Sequence, residues 1–252
     1  MMIQTKYEEK LYQANLLEGL DISLPIREGL DNPNCYYADP VVFETIEIGS
    51  FVGSVKKGGS VNYQKLSLTP HGNGTHTECY GHIVADSISI NQCLNQFHFI
   101  TRVISIAPTR MENGDSVITL SSFLEKIGNE TIPEAILIRT LPNEYSKQNR
   151  QYSGSNPPYV DAALMAWLAK KNVKQFLIDL PSVDKEIDGG LLAAHKAFWN
   201  LPDKPRKNAC ITELIFVPDA ILDGLYLMNL QIISLEMDAS PSKPILYPIE
   251  LF

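Results

Sequence analysis

Two short apolar runs constrain this chain more than anything else in it. Ala135-Ile136-Leu137-Ile138-Arg139-Thr140 and Gln175-Phe176-Leu177-Ile178-Asp179-Leu180 are nearly continuous in apolar side chains and too short to be helices. Runs of this kind read as strands buried on both faces. A polar loop, 143–158, and a helical stretch from Tyr159 to Lys171, with Ala162, Ala163, Ala166, Trp167 and Leu168, lie between them. Strand, long loop, helix, strand predicts a parallel crossover, and so an α/β fold with a mixed sheet. Segments 20–26, 41–52, 63–69, 99–107, 210–217 and 225–235 read as further strands, with a hairpin turn at Lys57-Gly58-Gly59-Ser60. Helices are predicted at 7–18, at 119–128 and at 189–199, the last carrying His195; residues 237–248 read as a proline-punctuated tail. Neither a repeat nor a linker divides the chain, so one α/β domain over 1–252 is expected.

Charge and composition narrow the function. The formal net charge is -8, and Lys56-Lys57 and Lys170-Lys171 are isolated basic pairs, which argues against nucleic acid as a partner. Cys35, Cys79, Cys93 and Cys210 form no C-x-x-C pair and read as reduced thiols of a cytoplasmic protein. Residues 1–11 lack the apolar core of a signal peptide. The apolar stretch 211–235 is interrupted by Glu213, Pro218, Asp219 and Asp223, so no membrane span is expected.

The chemistry is concentrated in His71-Gly72-Asn73-Gly74-Thr75-His76-Thr77-Glu78-Cys79-Tyr80-Gly81-His82, which holds three of the five histidines. In an extended strand His76, Glu78, Tyr80 and His82 leave on one face. Two imidazoles and a carboxylate on one face suit a divalent metal. A glycine-rich turn followed by a polar strand of merely hydrogen-bonded histidines accounts for the same residues. Four later groups offer partners: Asp179 and Asp184 at a strand end, His195, and Glu213 inside an otherwise apolar strand. A buried acid needs a cation, so Glu213 pairs either with a metal or with an Arg or Lys. His195 alone could equally be a surface histidine. Cys79, beside the histidines, could serve as a nucleophile but points opposite to them on a strand. His98, between Phe97 and Phe99, suits packing better than ligation.

The ordered set of residues resembles the cyclase family that includes bacterial kynurenine formamidase and isatin hydrolase. That family carries H-x-G-T-H-x-D-x-P-x-H. Gly74-Thr75-His76 matches its G-T-H and His82 its last histidine. Asp21-Ile22-Ser23, Ile138-Arg139-Thr140, Asp179-Leu180-Pro181-Ser182-Val183-Asp184 and Asp238-Ala239-Ser240-Pro241 resemble further family segments, and His195 and Glu213 fall where its late His and Glu occur. The resemblance implies a swivelling β/β/α fold, a homodimer or homotetramer, and a divalent metal, zinc or manganese. It implies His76, Glu78, His195 and Glu213 as metal ligands and His82 as general base or proton shuttle. Three positions depart from the pattern: Gly72 stands at the first histidine, Glu78 at the aspartate and Tyr80 at the proline. His71 lies one residue early, which on a strand would turn it away, although a glycine-rich turn could swing it in as a further ligand.

The expectation is therefore a metal-dependent hydrolase of an amide, formamide or lactam C–N bond in a small molecule, arylformamidase-like, with N-formylkynurenine of tryptophan catabolism as the family's best-known substrate. A cyclase or dehydratase of a small-molecule pathway is one alternative. A metal-poor binding protein that keeps the fold, motivated by Gly72, is the other.

Overall fold

Seven strands close into a ring in the computed structural model, which describes residues 1–252: β1 (His76–Glu78), β2 (His98–Ile106), β3 (Ala135–Thr140), β4 (Gln175–Ile178), β5 (Cys210–Glu213), β6 (Gly224–Ile232) and β7 (Ala239–Leu251). Around the ring the order is β7-β6-β2-β3-β4-β5-β1, and β1 pairs back onto β7. The neighbours β2, β3, β4 and β5 are parallel, and the remaining pairings are antiparallel. The result is a closed mixed barrel with few helices, in keeping with the α/β expectation.

The predicted crossover forms. β3 and β4 run parallel, with Ile136 opposite Phe176 and Ile138 opposite Ile178, and every residue of both strands is buried. Helix α1 (Leu120–Ile127) is capped by the Thr119 hydroxyl, which accepts from the Ser122 amide. Helix α2 (Ala162–Lys170) is capped by the Asp161 carboxylate, which accepts from the Ala163 amide. Helix α3 (Ala193–Trp199) packs on α2 and buries Phe198 and Trp199, whose indole donates to the Ala209 carbonyl at 2.9 Å. Each such large side chain contributes roughly 1.5–3 kcal/mol of burial.

Two predicted elements are different in kind. The stretch 7–18 is no helix: Met2–Tyr7 and Lys10–Asn15 form a hairpin turning on Glu8 and Glu9, both at positive φ. Its Leu11, Ala14 and Leu17 fit a helical stripe, but Ala14 is buried instead by pairing opposite Ile249 on β7. Residues 237–248 are no tail, because β7 runs through them. β7 tolerates Pro241, Pro244 and Pro248 because its neighbours change along its length, from β1 to Leu20–Asp21 to the hairpin, so no long ladder is needed on that edge. Within 41–69, Val42–Thr45 pairs with Gln64–Ser67, and the chain turns through a short helical turn, Val55–Lys57, ahead of Gly58.

Asp179 is part of this scaffold and takes no part in the histidine cluster. Its carboxylate accepts from the Thr140 amide at 3.0 Å and from Lys147 Nζ at 2.8 Å, and Lys147 also donates to the Thr140 carbonyl at 2.6 Å. Both charged groups are buried, so the pair straps the 143–158 loop to the ends of β3 and β4. Removing one partner of a buried pair costs about 3–5 kcal/mol. Lys147→Met should therefore lose several kcal/mol in urea unfolding, and Lys147→Met/Asp179→Asn should lose less than the single variant.

Candidate metal centre

The centre is built on the strand that closes the barrel. β1 puts His76 and Glu78, two residues apart, on one face. Register does the rest: Glu213 of β5 lies directly opposite His76, and Thr212 opposite Thr77. The two threonine hydroxyls meet at 2.8 Å on the other face, while His76 Nε2 comes within 3.4 Å of Glu213 Oε2. His76 Nδ1 donates to the Gly74 carbonyl at 3.0 Å, which leaves Nε2 as the nitrogen facing the cluster. Glu213 is held in turn by the Val183 amide, which donates to Oε1 at 2.9 Å.

His71 comes in rather than pointing away. Pro70–Asn73 is a helical turn with proline at its first position, not a strand, so the one-residue shift does not reverse the side chain. His71 Nδ1 lies 3.4 Å from Glu78 Oε2 and Nε2 lies 2.8 Å from Asp238 Oδ2. Gly72 is at the back of this turn, where a Cβ would meet the Ala38 Cβ at 2.4 Å. Position 72 has no room for a side chain, and the neighbouring His71 is the histidine of this turn that reaches the cluster. The predicted extended run from His76 to His82 also ends early. After Glu78 the chain enters a short helical turn, Tyr80–Ile83, which buries Tyr80 and carries His82 round to the cluster. His82 Nδ1 lies 3.0 Å from Asp238 Oδ2 and Nε2 lies 3.8 Å from Glu78 Oε2. Cys79 faces the core, its thiol 3.9 Å from the Ile88 carbonyl, and hydrogen bonding to Cys93 together with burial pushes its pKa up. The nucleophile reading of Cys79 is thereby set aside. His98 stays exposed and hydrogen-bonds Asn229 at 3.0 Å, so it neither ligates nor packs.

His195 reaches the cluster from α3. Asp184 accepts from the Ala194 and His195 amides at 2.7 and 3.1 Å and holds His195 Nδ1 at 2.6 Å. One carboxylate thus fixes both the start of the helix and the ring. His195 Nε2 then sits 2.9 Å from Glu78 Oε1 and 4.0 Å from Glu213 Oε1. Asp184 and Asp238 play the same part for different rings. Sequence reading offered Asp184 as a partner for the site but gave Asp238 no role, since Asp238 lies 156 residues from His82 and 167 from His71.

Burial and charge oppose each other here. Burial disfavours the charged forms of His76, His82 and His195, yet the carboxylates outweigh it and all three are raised, His76 by Glu213 and His195 to about 10 chiefly by Glu78. Burial likewise pushes Glu78 up, but His195 and His82 draw it down to about 2. Hydrogen bonds from His71 and His82 hold Asp238 well below the ordinary carboxylate range.

The donor set fits a divalent cation. His76 Nε2 and Glu78 Oε2 are buried with no hydrogen-bond partner, a costly arrangement that a metal would relieve. The ligand atoms of His71, His76 and Glu78 lie within 4.8 Å of one another, as do those of Glu78, His82 and His195. Neutral imidazoles backed by carboxylates or a carbonyl are the usual outer support of such ligands. A cavity of about 200 Å³ opens onto the cluster, lined by His71, His82, His195, Glu213 and, further out, Tyr36 and Glu186. The 143–158 loop meets the segment around Tyr36 here: Cys35, Tyr36, Tyr152 and Pro157 line an adjoining cleft.

A closed mixed barrel with a buried His/carboxylate cluster at a cavity floor is the make-up of a metal-dependent hydrolase. The Cyclase family model matches residues 20–185, and the chain belongs to that family and is a hydrolase of it. Kynurenine formamidase of Bacillus cereus is 26% identical over 245 residues, covering 92% of this chain and 98% of that protein. The Bacillus mycoides enzyme of the same name is 28% identical over 204 residues, covering 78% and 85%. Among solved structures, isatin hydrolase A from Labrenzia aggregata, bound to benzyl benzoate, superposes with a TM-score of 0.67 at 13% identity, covering 91% of this chain and 94% of that one. A potential metal-dependent hydrolase with cyclase activity gives 0.65 at 18% identity, covering 91% and 96%. These structural likenesses speak to the fold.

Two outcomes follow from this geometry. Asp238→Ala, which frees two rings at once, should weaken divalent-metal binding by about 10–100-fold in a chelator competition. In metal-stripped protein, His195 at about 10 against an ordinary 6.5 contributes stability that is complete below about pH 6.5 and lost as pH rises through 10. The melting temperature of stripped protein should fall between pH 7 and 10, and metal loading should flatten that fall.

Proposed function

We propose that this protein is a metal-dependent hydrolase that opens an amide, formamide or lactam C–N bond in a small aryl substrate, an arylformamidase-like activity. The observation that carries the reading is the convergence of His71, His76, Glu78, His195 and Glu213 around two buried, unpartnered ligand atoms, beside a cavity that His71, His195 and Glu213 line. Those five residues are the proposed ligands, for one or two ions of zinc or manganese. When bound, the metal supplies Lewis acidity toward a carbonyl oxygen and lowers the pKa of water.

The chain's own groups do the rest. His82 lies against the cluster and on the cavity wall, more exposed than His71 or His195, and its Nε2 faces Glu78. His82 takes a proton from the attacking water and returns it to the leaving nitrogen, the step an amide needs because its amine is a poor leaving group. Asp238 holds the opposite nitrogen of the ring, so Nε2 stays aimed. Burial opposes protonation of His82 and the Glu78 charge favours it; a cation on Glu78 weakens that pull and brings the ring toward neutrality, as a base requires. Asp184 and the Gly74 carbonyl keep His195 and His76 in ligand orientation. The reading includes one domain over 1–252, a homodimer or homotetramer, and a cytoplasmic location; no helix is long and apolar enough to cross a membrane.

The test is turnover of formanilide by metal-loaded protein, followed as formate release, alongside metal content. His76→Ala should lose metal and activity together. His82→Gln should keep its metal and lose about 10²–10⁴ in kcat. Full metal occupancy in His76→Ala, or formamide turnover by stripped protein, would contradict the assignment.

A further inference from the structure

We propose that Tyr36 and Glu186 select substrates that carry a positively charged group beside the scissile amide. This inference rests on the hydrolase reading and narrows its substrate class.

The outer wall of the cavity is acidic and its carboxylates lack cations. Glu186 Oε1 accepts from the Gly154 amide at 2.6 Å and Oε2 from the Asn156 amide at 3.3 Å. Asp188 accepts from the Gly190 and Leu192 amides at 2.8 and 2.7 Å. These amides fix the carboxylates in place without cancelling their charge. Lys185 is the single lysine or arginine on the cavity wall, and its Nζ is taken by Asp115 at 2.9 Å. An anion entering here meets unbalanced negative charge, whereas a cation meets held carboxylates that need little reorganisation.

Tyr36 supplies the second half. It lines both the cavity above the cluster and the adjoining cleft, as Glu186 does. Tyr36 and Tyr37 both sit at φ 55, a region that non-glycine residues enter at a cost of about 1–3 kcal/mol each. The neighbouring chain holds them there: the Cys35 amide donates to the Gly72 carbonyl at 3.0 Å and the Tyr37 amide to Ser153 Oγ at 2.9 Å. The Tyr36 hydroxyl donates to the Pro181 carbonyl at 3.5 Å, and its ring, 46% exposed, lines the same cavity and cleft as the Glu186 carboxylate. A ring and a fixed carboxylate on one wall are the elements that recognise an alkylammonium. The Cys35–Gly72 bond also ties this wall to the turn that carries His71, so the recognition wall and the centre are positioned by one piece of backbone.

The experiment compares two formamides of equal size on metal-loaded protein: 3-formamidobenzylamine, cationic at neutral pH, and neutral 3-formamidobenzyl alcohol. The cationic substrate should show kcat/KM about tenfold higher at low salt, with the ratio falling as the Debye length shortens. Glu186→Gln should cut the ratio about fivefold, and Tyr36→Phe should hold it where Tyr36→Ala does not. Benzyltrimethylammonium, a permanent cation that cannot ligate metal, supplies a readout free of turnover. It should bind the metal-loaded protein by calorimetry and bind Glu186→Gln about fivefold more weakly. A ratio near one, or benzyltrimethylammonium binding that ignores both salt and Glu186→Gln, overturns the proposal. Salt-sensitive binding that needs Glu186, with neither formamide hydrolysed, sinks the formamidase reading and leaves the cation wall standing.

Discussion

The pairing of one three-residue strand with two neighbours holds both the fold and the site. β1 joins β5 on one edge and β7 on the other, and without it the ring of strands is an open sheet with two exposed edges. The same pairing sets Glu213 opposite His76. A slip of one residue would exchange His76 and Glu78 for Thr77, putting a hydroxyl where the ligands stand. Stability and chemistry therefore share a register. Further anchors lock it: Thr75 Oγ1 donates to the Leu214 carbonyl at 2.6 Å and accepts from the Leu24 amide at 2.8 Å, so the strand enters at a fixed height.

From that strand outward, each ring is aimed by a group that is not itself a proposed ligand. The Gly74 carbonyl holds His76, Asp184 holds His195, and Asp238 holds both His71 and His82. Fixed hydrogen bonds on the far nitrogen decide which nitrogen faces inward, and they raise the basicity of the inward one. Asp238 is the shared element: it stands just ahead of β7, so one end of that strand also sets the His71 and His82 rings. The His71 and His82 rings lie 4.2 Å apart, close enough that moving one disturbs the other.

Much of this was legible in the sequence, for identifiable reasons. The crossover was readable because strands buried on both faces leave an unmistakable apolar run, as at 135–140 and 175–180. His76, Glu78, His82, His195 and Glu213 were named before any geometry, through alternation and a family resemblance, and the fold brings all five together. What was hidden depended on partners far along the chain. Residues 7–18 look helical until β7 offers Ile249 as a neighbour for Ala14, and the prolines of β7 mask a strand whose edge is shared among short segments. His71 was left open between turning away on a strand and swinging in on a turn, because only the fold shows that the local backbone is a helical turn. Asp179 had the composition of a site residue and instead binds Lys147, since a strand-end acid serves loop anchoring equally well.

A cluster of this kind couples folding to cation binding. Glu78, Glu213, Asp184 and Asp238 bring four carboxylates to four histidines within a largely buried space. In water these acids are individually solvated; inside the barrel each needs a positive partner or must give up its charge. Protons on the imidazoles fill that need only while the pH keeps them there, and they leave His76 Nε2 and Glu78 Oε2 without hydrogen bonds. A divalent ion answers both demands at once, neutralising the acids and meeting the orphaned atoms. Metal affinity and conformational stability thus draw on the same electrostatic imbalance, and any substitution that removes an acid from the cluster should stabilise the stripped protein relative to the loaded one.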